Sequence, residues 1–300
     1  VGGQLHRRRG HVLPDAELHV EYMDAKRFAK EVVRSRFVDL LRAKSKDMDF
    51  PVVITSDNIA LELVLDVRSE LFPRAQVVFC GLNGPPEDVI RGRDGVTGVT
   101  ETWDPVGTLK AIDRLQPGVK EIVVVHDYTE SGLGTRKDLE AVRPAFDKRF
   151  RFRMAPAQPV EDVLKELAVL PDSSAVLLMG YNVDSRGKVF DSAATGPLFA
   201  RHARVPVYTM DQTRFGGGVV GGSLLSGERQ GEMAAAMAAR ILAGDSAQRI
   251  PIVRDPVAVL TFDYQALQRF GLPIGALPPG SWIINRPASF YEQYRHRIWA

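Results

Sequence analysis

The residues of this chain that could do chemistry gather just past its apolar runs. Glu121-Ile-Val-Val-Val125 leads at once into His126-Asp-Tyr-Thr-Glu-Ser131, so that Asp127, Tyr128, Thr129 and Ser131 crowd one turn. Ser56 and Asp57, Asn83, Tyr181 with Asn182 and Asp184, and Asp211 stand at the ends of other such runs. Small polar side chains in these places can cap the following helix or hold a ligand, because the first N–H groups of a helix point outward without partners. For one residue the two accounts weigh equally. Recurrence at several strand ends favours a binding surface, to which Tyr181 could add a stacking ring, whereas Tyr208 reads as core.

Catalytic readings are weaker. His126 beside Asp127 suggests a general base, but adjacent residues leaving a strand are expected on opposite faces, and the only hydroxyls nearby belong to the loop itself. Gly216, Gly218 and Gly221 satisfy G-x-G-x-x-G. A dinucleotide site would place that motif directly after a first strand, with an acidic residue about 20 positions on. Here it lies deep in the chain, and a glycine-rich crossover strand packed closely against its surroundings is the better account. No G-x-x-x-x-G-K-[ST], G-x-S-x-G or H-E-x-x-H occurs, and the six histidines are scattered. The reading is therefore no enzyme, no cofactor and no metal.

Across 300 residues, 45% are apolar and 25% charged, and Lys+Arg (39) barely exceeds Asp+Glu (37). This is the balance of a globular protein without a bias toward nucleic acid. The basic run His6-Arg7-Arg8-Arg9 reads as a solvated face. A single Cys80 excludes an internal disulfide, leaves the compartment open, and reads as a small buried hydrophobe. No run reaches the roughly 18 apolar residues of a membrane span. The chain begins at Val1 without a methionine and ends in mid-pattern at Trp299-Ala300, as expected of a fragment of something longer.

Strand and helix patterns must position these residues. A weak helix over 1–12 and an alternating strand Glu17–Tyr22 are expected first, then a helix carrying Phe28, Val33, Phe37 and Leu41. Strands follow at 51–55, 76–80, 96–101, 121–125, 150–154, 175–179, 205–209 and 257–262, with an extended return at 281–285. Helices are expected at 59–71, around Leu109 to Leu115, at 135–147, 160–169 and 193–203, then a long one ended by Gly244, a short one around Leu267, and a last one at 288–300. Such alternation, with polar loops at the strands' carboxyl ends, is the pattern of α/β folds with doubly wound parallel sheets flanked by helices. Two series in tandem suggest two lobes, 1–103 plus 212–250 and 104–211 plus 251–300, holding a small molecule between them.

The residues also carry a resemblance. Val96-Thr-Gly-Val99, Pro105-Val-Gly-Thr-Leu109, Leu115-Gln-Pro-Gly-Val-Lys-Glu-Ile-Val-Val-Val-His-Asp127 and the Gly-Leu-Pro-Ile and Leu-Pro segments within 271–278 are similar to ABC-transporter substrate-binding proteins of the tryptophan/tyrosine-binding type. Those have the type I periplasmic-binding fold. Glu21-Tyr-Met-Asp-Ala-Lys-Arg27, Gly217-Gly-Val-Val-Gly-Gly222 and Ile284-Asn-Arg-Pro-Ala-Ser-Phe-Tyr-Glu-Gln-Tyr294 resemble the branch in which this module is the extracytoplasmic sensor domain of bacterial membrane-bound histidine kinases. Members of the group open with an apolar strand that this chain does not display. The resemblance implies cleft roles for Ser56, Asp57, the Cys80–Gly84 turn, Asp127, Tyr128, Thr129, Tyr181, Asn182 and Asp211; Gly217, in the glycine stretch, is a further candidate for ligand contact.

The resulting expectation is a periplasmic or extracytoplasmic, membrane-anchored sensor domain that closes on a small polar ligand, an amino acid or related organic anion. The anion would be held by Thr129, Ser131 and helix-start amides and oriented by Asn83, Asn182 or Asp211. Closure would pass to a C-terminal membrane helix and the membrane-embedded remainder of the protein. The alternative is a free substrate-binding protein serving an ABC permease.

Overall fold

Unbroken β-branched runs build two sheets, one in each of two compact units. The computed structural model describes residues 16–23 and 30–287, without the side chains of 30–32, 130 and 131. Unit 1 runs through Thr102 and resumes over Ser226–Val257; unit 2 comprises Trp103–Leu225 and the chain from Ala258 onward.

Unit 1 contains α1 (Lys30–Ser45), β1 (Val52–Ser56), α2 (Asn58–Leu71), β2 (Gln76–Leu82), the one-turn α3 (Glu87–Ile90), β3 (Val96–Thr100) and the later helix α8 (Gly227–Leu242). Its sheet has the order β1-β2-β3, every pair parallel. Strand side chains alternate between faces. Val77 and Phe79 therefore join the core of α2, with Leu61 and Leu65, while Val78 and Cys80 meet Ala234, Met237 and Ala238 of α8. The register slips between Phe79 and Leu82, so Leu82 continues the α2 face and the strand bulges at Cys80 and Gly81. Bulges of this kind re-aim a strand end.

Unit 2 contains α4 (Pro105–Leu115), β4 (Glu121–Val125), α5 (Glu130–Val142), β5 (Arg151–Met154), α6 (Val160–Ala168), β6 (Ser174–Leu178), α7 (Ser192–His202), β7 (Val207–Thr209), β8 (Gly221–Leu225), β9 (Ala258–Asp263), α9 (Tyr264–Arg269) and β10 (Trp282–Ile284). Seven strands lie in the order β10-β9-β8-β7-β6-β4-β5. Neighbours are parallel except β8 and β9, which pair antiparallel from Gly221↔Phe262 to Leu225↔Ala258. β4 is buried on both faces, as its continuous apolar run requires. Ile122 and Val124 pack with Leu109, Ile112 and Leu139 of α4 and α5, and Val123 and Val125 pack with Val163, Leu167 and Phe199 of α6 and α7.

The α/β architecture with helix-flanked parallel sheets agrees with the sequence pattern, and three details differ. The segment 16–23 is not a strand: Val20 and Tyr22 are exposed, His19 turns edge-on to Phe50, and no strand edge takes the segment up. Helix α5 starts five residues before the expected Thr135, because Thr129 caps it. The glycine stretch leads into a closely packed strand, β8, as expected, which removes the geometry of a dinucleotide turn; a side chain at Gly221 would meet Thr261 O at 2.0 Å. Since β8 belongs to the large sheet, the crossings at 211/212 and 250/251 move to 225/226 and 257/258. The expected helices at 1–12 and 288–300 fall outside the described residues.

Candidate functional site

In unit 2 the connections from β4 and β6 leave on opposite faces of the sheet: Leu139 of α5 lies in one core and Phe199 of α7 in the other. Where neighbouring strands diverge in this way, their carboxyl-end loops leave a crevice, the usual ligand position in open α/β sheets. A cavity of about 200 Å³ occupies that place, lined by the loops after β4 (His126 to Thr129), β5 (Pro156, Ala157, Gln158) and β6 (Tyr181, Val183, Asp184, Ser185).

The loop after β4 is held by Asp127. This carboxylate is buried; Oδ1 accepts from Thr129 N (3.1 Å) and from the Thr129 hydroxyl (2.5 Å), and Oδ2 accepts from Asn182 N (2.5 Å). Thr129 Oγ1 in turn accepts from Gly132 N at 3.2 Å, closing the N-cap of α5. A side chain at Gly132 would stand 2.2 Å from Asp127 Oδ1, so this helix start can approach the loop only as glycine. These bonds stitch β4 to β6 and engage Thr129 and the Gly132 amide, which are among the donors assigned to a ligand anion. Tyr128 anchors the rim by donating to Ala155 O at 2.8 Å, and its ring lies 4.8 Å from that of His126.

The loop after β6 is shaped by Asp184, whose carboxylate accepts from Arg186 N (2.9 Å), Lys188 N (3.0 Å) and Val160 N (3.2 Å). Burial works against its charge, but the backbone amides outweigh that effect and hold the carboxyl below its usual range. Tyr181 packs edge-on against Phe199 at 5.0 Å. Burial, then the charges of Asp184, Asp127 and Glu161, push its phenol well above the ordinary tyrosine value.

Two of the residues lining the cavity each carry a buried polar atom with no hydrogen-bond partner among the described residues: His126 Nε2 and Tyr181 Oη. Their side chains are only 2% and 3% exposed. Buried polar atoms are nearly always paired, so two orphans on one cavity mark it as a place for polar contacts from outside the chain.

Of the residues expected from sequence, Asp127, Tyr128, Thr129, Tyr181 and Asp184 line this cavity. Asn182 stands behind it: its side-chain carbonyl accepts from Ser192 (3.0 Å) and from Arg214 (2.9 Å). Asp211 caps the turn Gln212–Arg214, accepting from Thr213, and faces Arg214 Nε at 3.2 Å. Gly217 is wedged against Pro197, where a Cβ would come within 2.6 Å, and does not reach the cavity. The Ser131 side chain is outside the described set.

Ser56, Asp57 and Asn83 belong to unit 1. Asp57 caps α2 and Asn83 exchanges two hydrogen bonds with Asn58, at 2.8 and 2.9 Å. Beside them, Gln230 of α8 accepts from Gly81 N at 2.9 Å.

His126 and the loop 156–158 were missed as contacts. His126 and Asp127 lie beyond the end of β4 and both line the cavity, despite the expected alternation of faces. Loop 156–158 obeyed the strand-end rule but offered few polar side chains. Arg214, 3% exposed and bound to Tyr181 O, Thr195 and Asn182, is the buried clamp of the region; nothing in its sequence context marks it as buried. Among the described residues no cluster could hold a metal ion, and no helix is long and apolar enough to cross a membrane.

Neither a protein-family model nor a curated protein matches the sequence. Solved structures do resemble the fold. A ligand-free, open substrate-binding protein with adhesive properties from Clostridium difficile superposes with a TM-score of 0.66 at 13% identity, over 94% of this chain and 92% of that one. An ABC domain in complex with L-Trp from Streptococcus pneumonia gives 0.55 at 14% identity, over 84% and 86%. A conserved domain protein from Vibrio cholerae gives 0.54 at 15% identity, over 93% of each. The chain has the α/β fold of type I periplasmic substrate-binding proteins.

Proposed function

We propose that this chain is a non-enzymatic module that binds a small polar molecule of amino-acid size, with the loops after β4, β5 and β6 as its recognition surface. The observation that carries this reading is the cavity at the strand divergence, two of whose lining residues hold a buried, unpartnered polar atom. Apart from His126 and Tyr181, the polar side chains of this region are otherwise committed. Asp127, Thr129 and Asp184 spend their oxygens on loop amides and hydroxyls, and Cys80 lies in a strand core. Ser56, Asp57 and Asn83 are proposed as ligand contacts on unit 1 taken by itself. In the full reading the module is extracytoplasmic and anchored, and ligand binding is signalled to a membrane-embedded output.

A thermal-shift screen of amino acids, purines and small carboxylates tests the binding step. A ligand present at 100 times its Kd adds about 2.7 kcal/mol of stability. A screen without any hit, or turnover of a hit, overturns the reading. The likeness to substrate-binding proteins favours a second reading, a free carrier that delivers its ligand to an ABC permease. Fractionation of the full-length gene product separates the two: retention in the membrane supports the sensor, and release with the soluble extracytoplasmic fraction supports the carrier.

A further inference from the structure

We propose that the ligand presents an ammonium group to the unit 2 cavity, where His126 Nε2 and Tyr181 Oη accept its hydrogen bonds. This rests on the binding function proposed above and goes beyond it by giving the ligand's polarity at this wall. The argument begins with the tautomer. His126 Nδ1 lies 2.6 Å from the carbonyl oxygen of Asp127, and a carbonyl only accepts, so Nδ1 carries the proton. In the neutral ring Nε2 then has a lone pair and no hydrogen, and it is this atom that is buried without a partner. It calls for a donor. The Tyr181 hydroxyl, also unpartnered, can accept as well as donate.

Charge points the same way. Among the described residues, two carboxylates, Asp127 and Asp184, line the cavity, and no Lys or Arg does. Arg214 faces Asp211 and spends its N–H groups on Tyr181 O, Thr195 and Asn182. Lys188 and Arg186 pair with Glu161, at 3.1 and 4.0 Å. A carboxylate at the start of α5 would find Thr129 N, Gly132 N and the Thr129 hydroxyl already engaged. A positively charged donor meets two acceptors and a negative wall, whereas an anion meets a lone pair and two like charges.

The test uses the whole chain and matched triads in titration calorimetry: an L-amino acid, the amine left by its decarboxylation, and the acid left by its deamination. The amino acid and the amine are expected to bind, and the deaminated acid at least about tenfold more weakly, as for loss of a hydrogen bond to a charged group. Tyr181→Phe keeps the ring and its packing and is expected to lower amine affinity about tenfold; His126→Leu is expected to act in the same direction. Acids binding as tightly as amines overturn the proposal, as does a ligand set of polyols alone, or unchanged amine affinity in Tyr181→Phe. If every triad fails while the wider screen finds another ligand, the ammonium assignment falls and the binding function stands. If both fail, the binding function falls with it.

Discussion

Asp57 sits at φ 82 and ψ 156, a conformation reached almost only by glycine. Such a position costs on the order of 1–3 kcal/mol, while exchanging an aspartate cap for glycine loses only a few tenths. Asp57→Gly is therefore expected to raise stability by about 1 kcal/mol, measured by urea titration; a loss of stability would mean that the side chain secures more than its cap. Asp184 makes a prediction about pH. Its folded-state carboxyl titrates below its ordinary value, so its contribution is complete above the unfolded carboxyl's range and is lost as pH falls through the folded one. Asp184→Asn should flatten the acid limb of a stability–pH curve while lowering stability near neutrality. Cys80 is the converse case: burial pushes its thiol up to about 11. Thiol reagents should leave it unmodified near neutral pH until the chain is unfolded.

At the scale of elements, the start of α5 and the turn that carries Arg214 hold the site in shape. Gly132→Ala would drive a methyl group into the Asp127 carboxylate. A destabilisation of about 2 kcal/mol is expected, in the range of overpacked cores, together with loss of ligand-induced stabilisation. Asp211→Ala leaves the buried Arg214 guanidinium without its facing carboxylate, and a cost of about 3 kcal/mol is expected in denaturant titration. Sequence was informative where a single physical signal dominated. The run Glu121–Val125 read as a strand buried on both faces, and it is one. It misled where signals conflicted: Gly132 and Gly134 dilute helix propensity and hid the first turn of α5. The alternation in Glu17–Tyr22 was real, but a strand needs a neighbour, and pairing is decided elsewhere in the chain. The orphaned state of His126 Nε2 was beyond reach for the same reason, because it depends on where other loops end.

At the scale of the molecule, each unit has its own pair of cores on the two faces of its own sheet. Hydrogen exchange with and without ligand should therefore be regional. Protection is expected to rise at 126–132, 156–158 and 181–188; uniform protection across unit 2, or none there, would contradict the placement of the recognition surface. The antiparallel pairing of β8 with β9 has a further use. Leu225 and Ala258 are direct partners in that ladder, so the segment 226–257 departs from and rejoins unit 2 at a single point. Excising it and bridging the gap with a tight Asn-Gly reverse turn would convert the pair into an ordinary hairpin. A synthetic gene beginning at Trp103 and carrying that splice should yield a smaller, self-sufficient protein, in which the ligand chemistry of one half can be engineered without the other.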